Sequence, residues 1–141
     1  MNEPQKKLLI IDNEHELTEI LKIAMEEMGG FDVRTENNPM RAAAAARQFV
    51  PDLLVLDIRM PDLDGADVIL RIRNEPRLAQ IPVVFLTGNV SKSESERLGG
   101  RIGNCRLLPK TMPLAELAAH FNEFAASASG QCEGPLPSRA A

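Results

Sequence analysis

Four short apolar runs, each leading to a polar residue, divide the chain. Leu8-Leu9-Ile10-Ile11 ends at Asp12, Leu53-Leu54-Val55-Leu56 at Asp57, and Val83-Val84-Phe85-Leu86 at Thr87. Arg106-Leu107-Leu108 leads through Pro109 to Lys110. Runs of this length, apolar on both faces, suit strands of a parallel sheet covered by helices on each side. Helical patterns lie between them. After Asp12, residues Leu17, Ile20, Leu21, Ala24, Met25 and Met28 recur at helical spacing, and Gly29-Gly30 closes that helix. A short strand is expected at Phe31 to Thr35. Asn38 then caps a helix with Pro39 at its first position, running into Ala42 to Phe49.

Pro51-Asp52 opens the central strand. Gly65 to Asn74 is expected as a third helix, with Val68, Ile69 and Ile72 inward and Pro76 ending it. Pro82 opens the fourth strand. Ser91 to Gly103 is polar, contains Gly99-Gly100 and offers a core only Leu98 and Ile102. A short or mobile fourth helix is expected there, because each helical Gly costs about 1 kcal/mol relative to Ala. The last helix has Pro113 near its start and Leu114, Leu117, Ala118, Phe121 and Phe124 on one face. The pattern stops near Ser127, so residues 1–126 are expected to form one domain and the breaker-rich 127–141 a disordered tail. Apolar runs alternating with helical patterns imply an α/β fold of βαβ units around a parallel sheet.

Bulk properties narrow the function. At 141 residues the chain has room for one domain. No run approaches the ~18 to 20 apolar residues of a membrane span, and the N-terminus has no signal-peptide pattern, so a cytoplasmic location is expected. The net charge of −4 and the absence of Trp and Tyr argue against a nucleic-acid partner. Cys105 and Cys132 suit neither a disulfide framework nor a metal motif. Cys105 is expected in or beside the last strand, and Cys132 in the tail.

Open α/β sheets present their chemistry at the carboxyl ends of the strands. Parallel strands would therefore gather two carboxylates, a hydroxyl and an ammonium on one edge, a set suited to a phosphoryl group with a divalent metal. In this order the four segments, with Met60-Pro61-Asp62-Leu63-Asp64-Gly65 after Asp57, resemble the receiver domain of two-component response regulators across roughly residues 6 to 125. That resemblance implies a flavodoxin-like doubly wound sheet of five parallel strands, order 2-1-3-4-5, with five helices. It implies a stand-alone receiver whose phosphoacceptor, Asp57, is charged by a histidine kinase or histidine phosphotransfer protein. Mg2+ would be held by Asp12, Asp57 and the backbone carbonyl of Arg59. Lys110 and Thr87 would meet the phosphoryl oxygens. A downstream protein would then be recognised through the fourth and fifth helices, and phosphorylation-linked homodimerisation is compatible with the same scheme.

The sequence departs from the family at three positions. Asn13 stands where a second acid ligates the metal; its amide oxygen can ligate but adds no formal charge, so weaker magnesium binding is expected. Leu107 replaces the usual aromatic three residues before the lysine. Thr111 replaces the usual proline, and a cis bond before a non-proline residue costs about 2.5 to 4 kcal/mol, so a trans bond is expected. Arg59 and Asn89 occupy positions that tune acyl-phosphate lifetime in the family.

These departures motivate an alternative, a receiver-like protein-binding module that works without phosphorylation. Two further classes fit poorly. A haloacid-dehalogenase phosphatase wants a second acid two residues after its aspartate, where Asp57 has Arg59 and Asp12 has Glu14 followed by His15. A flavodoxin-type electron carrier wants a hydroxyl-rich loop in place of the acidic Asn13-Glu14-His15-Glu16. His15 is expected to be a solvated first-turn residue.

Overall fold

The computed structural model describes residues 5–57, 70–72, 74–78, 81–87, 101–102 and 105–126. Strand β1 (Lys7–Ile11) leads to helix α1 (His15–Met28), then β2 (Asp32–Glu36), a 3-10 turn (Pro39–Arg41), α2 (Ala42–Phe49) and β3 (Leu53–Asp57). Residues 70–72 are helical. A second 3-10 turn (Pro76–Leu78), β4 (Val83–Thr87), β5 (Arg101–Ile102), β6 (Cys105–Pro109) and α3 (Leu114–Ala126) follow. Five strands pair in parallel in the order β2-β1-β3-β4-β6, which is the expected 2-1-3-4-5 arrangement with β6 as the fifth strand.

Strand periodicity distributes the core. Alternate side chains of a strand point to opposite faces, so Leu9, Ile11, Leu54, Leu56, Val83, Phe85 and Leu107 pack on one side with Ala42, Ala45, Ala46 and Ile72. Leu8, Ile10, Leu53, Val55, Val84, Leu86 and Leu108 pack on the other, against Leu21 and Met25 of α1 and Leu117 and Phe121 of α3. Both layers are buried, as both-sided apolar strands require.

The local signals mostly act as expected. Asn38 accepts the amide of Met40 at 3.0 Å, with Pro39 at the first position of the turn. Gly30 has φ +69, the left-handed conformation of a residue just past a helix end. Gly29 has no room for a side chain: a Cβ there would lie 2.8 Å from Phe31.

Two expectations need correction. The α1 stripe is shifted, because Ile20 (52%) and Met28 (58%) are exposed whereas Thr18 is fully buried. The hydroxyl of Thr18 is satisfied locally, donating to the His15 carbonyl at 2.8 Å and accepting from Asn37 Nδ2 at 2.9 Å, which removes the cost of burying it. The fourth helix does not reach Gly103, because Arg101–Ile102 is a strand antiparallel to β6, pairing Arg101 with Arg106 and Ile102 with Cys105. Residues 91–100, most of the third helix including Val68 and Ile69, and the 127–141 tail with Cys132 lie outside the described residues.

Candidate functional site

Asp57 is the last residue of β3, and Asp12 directly follows β1. Ile11 pairs with Leu56, so the two aspartates leave adjacent central strands side by side. Lys110 directly follows β6. Thr87 ends β4 in register with Pro109, while Asp57 pairs with Leu86. One sheet edge thus gathers Asp12, Asp57, Thr87 and Lys110, as the four apolar runs predict. Arg59, whose carbonyl the resemblance makes a metal ligand, and Asn89 lie outside the described residues.

The side chains form a tight cluster. Lys110 Nζ lies 2.9 Å from Asp12 Oδ2, 3.0 Å from Glu14 Oε1 and 3.2 Å from Asp57 Oδ2. Asp12 and Asp57 are buried at 2% and 6% exposure. Among the described residues, Asp12 Oδ2 has no hydrogen-bond partner besides its ion pair with Lys110. Its other oxygen accepts the Glu14 amide at 2.9 Å, closing a tight turn between β1 and α1. Asn37 Nδ2 braces that turn through the Asp12 carbonyl at 2.8 Å. Burial alone lowers the pKa of Lys110, but hydrogen bonds to Asp12 and Glu14 and the charges of Asp12 and Asp57 outweigh it. The ammonium is held above the ordinary lysine value.

Two participants were not evident from sequence. Glu14 sits on a turn, where no periodicity says which way a side chain faces; its only signal is membership of an acidic corner. Asn37 is masked by its neighbour Asn38, which carries the capping signature. Asn13 is exposed, and His15 is the exposed first residue of α1. No peptide bond among the described residues is cis, the Lys110–Thr111 bond included.

The donor set fits a hard divalent cation. Asp12, Glu14 and Asp57 each offer a carboxylate oxygen, all within 4.8 Å of one another. Magnesium favours such oxygens while retaining several waters. The Lys110 ammonium already gathers the three carboxylates, so a positive centre suits this place.

Residues 8–122 match the response regulator receiver domain, and the chain belongs to that family of two-component signalling proteins. It is 38% identical over 81 residues to the DNA-binding dual master transcriptional regulator RpaA of Synechocystis, covering 57% of this chain and 33% of RpaA. It is 30% identical over 102 residues to the polar-differentiation response regulator DivK of Brucella anthropi, covering 72% and 80% of the two chains. The chain spans half or less of the length of several curated relatives, 33% for RpaA and 48% for a CpxR homolog of Haemophilus influenzae. The receiver domain of sensor histidine kinase PA1611 from Pseudomonas aeruginosa, solved with magnesium in its active site cleft, superposes with a TM-score of 0.73. That comparison, at 21% identity, covers 88% of this chain and all of the other, and shows the shared fold.

Proposed function

We propose that the chain accepts a phosphoryl group on Asp57 from a histidine kinase or histidine phosphotransfer protein and then changes its affinity for a protein partner. The observation that carries this is the Lys110 ammonium held at 2.9 to 3.2 Å among Asp12, Glu14 and Asp57 at the carboxyl edge of the sheet. An Asp57 oxygen forms the new P–O bond as the P–N bond to the donor imidazole breaks and the electron pair leaves on that nitrogen. Lys110 takes a phosphoryl oxygen as a point charge. Thr87, from the adjacent strand end, donates its hydroxyl to another. Asp12 and Asp57, with the Arg59 carbonyl that the family resemblance implies, would hold Mg2+, which would supply positive charge against the phosphoryl oxygens.

No helix among the described residues is long and apolar enough to cross a membrane, and a histidine-kinase donor would place the exchange in the cytoplasm. Leu107 is buried in the core layer that also holds Val83 and Phe85 of β4, so the phosphoryl signal passes through backbone and aliphatic packing rather than a ring swinging at position 107. Intact mass after incubation with a small phosphodonor tests the proposal. Wild type gains one phosphoryl group only with magnesium, and Asp57→Ala gains none. No gain at saturating donor and magnesium would favour a phosphorylation-independent binding module instead.

A further inference from the structure

The acid that the family keeps at position 13 is missing here, yet the corner after β1 still presents two carboxylates. Resting on the phosphoacceptor proposal above, we infer that Glu14 takes over as a direct metal ligand. The carboxylate ligands are then those of Asp12, Glu14 and Asp57, and Asn13 contributes none. Asn13 is exposed, and its carboxamide has no formal charge. Glu14 Oε1 lies 3.0 Å from the same ammonium that Asp12 and Asp57 meet at 2.9 and 3.2 Å. A positive centre at that place therefore already collects these three groups.

Backbone and side chain divide the work. The Glu14 amide is tied to Asp12 Oδ1 at 2.9 Å, so its Cα is fixed beside the cluster. Its side chain is 58% exposed, which leaves the carboxylate free to re-aim from ammonium to metal. In an octahedral site with bonds of about 2.1 Å, ligand oxygens lie roughly 3 to 4.2 Å apart. Three oxygens within 4.8 Å need only close slightly to meet that spacing. Charge points the same way. With all four groups ionised, three carboxylates against one ammonium leave two negative charges, the complement of a divalent ion. Without Glu14 only one would remain. With a metal held by the three carboxylates, the Lys110 ammonium that now sits among them would be released to meet an incoming phosphoryl oxygen.

Magnesium titration by calorimetry tests this, since a chain without Trp or Tyr lacks the usual fluorescent reporters. Loss of a partner one shell further out already weakens metal sites by about 10- to 100-fold, so Glu14→Gln should cost at least ~10-fold in magnesium affinity. Asn13→Ala, an exposed change, should stay within about twofold of wild type. Adding Asn13→Asp to Glu14→Gln should recover most of the loss by returning an acid to the family's position. Thermal melts without metal check that each variant is folded. Wild-type affinity in Glu14→Gln, or an equal loss in Asn13→Ala, overturns the assignment and leaves Asp57 standing as phosphoacceptor. A wild-type chain that neither binds magnesium nor gains a phosphoryl group overturns both.

Discussion

The two ends of the central strands use the same residue types to opposite effect. At the amino end, Lys7 and Asp52 form a reciprocal exposed clasp. The Lys7 amide donates to Asp52 Oδ2 at 2.7 Å, and the Asp52 amide donates to the Lys7 carbonyl at 2.8 Å. The Lys7 ammonium rests 5.5 Å above the Phe49 ring. At the carboxyl end, one little-exposed lysine faces three carboxylates, two of them buried. The first arrangement is balanced and open to water. The second has an acid surplus built on two buried carboxylates that water screens poorly, so its charges act strongly on one another and on any ion that enters. A lysine-aspartate pair at a strand end is therefore not a site in itself; burial and charge imbalance distinguish the two ends.

Removing the lysine should break the contrast most severely. Lys110→Met leaves Asp12 and Asp57 buried without their cation, and stripping one partner from a buried pair costs about 3 to 5 kcal/mol. Urea unfolding in chelator should show that loss, and magnesium should restore much of it. The equivalent change at the amino end should be mild. Asp52→Ala removes an exposed hydrogen bond to backbone, worth about 0.5 to 1.5 kcal/mol, and should leave magnesium affinity and phosphoryl uptake unaltered. An Asp52 effect as large as that of Lys110 would erase the distinction.

The smallest effect is in pH. The ordinary lysine value is 10.5 and the folded value of Lys110 is higher. The ammonium's contribution is therefore complete below pH 10.5 and is lost only as the pH climbs through the raised folded value. The stability gap between wild type and Lys110→Met should stay level from pH 8 to pH 10 on that account. A gap that closes within this range would place the lysine's titration lower than its surroundings imply.

Much of the site was legible because strand-end residues inherit their position from the apolar run before them. Asp12, Asp57, Thr87 and Lys110 each follow such a run, and sheet register alone brings their backbones to one edge. Residues whose direction depends on turn geometry were not legible. Glu14 faces the cluster only because its amide bonds to Asp12, and Asn37 braces the corner only because β2 ends beside it. In α1 the apolar positions are more numerous than one buried face can hold. Ile20 and Met28 are left outside, and Thr18 goes in through hydrogen bonds that hydrophobic spacing cannot reveal. The pair Arg101–Ile102 is too short to carry a strand pattern of its own and is set by its partner β6.

In the proposed exchange Asp57 is the group that takes the phosphoryl. Its most direct test is borohydride reduction of the protein after exposure to a small phosphodonor, followed by peptide sequencing by mass spectrometry. An aspartyl phosphate is reduced to homoserine, marking the residue that carried it. Homoserine is expected at position 57 in the presence of magnesium and not in its absence. Homoserine at position 12 instead, or an unmodified position 57 at saturating donor and magnesium, would contradict it.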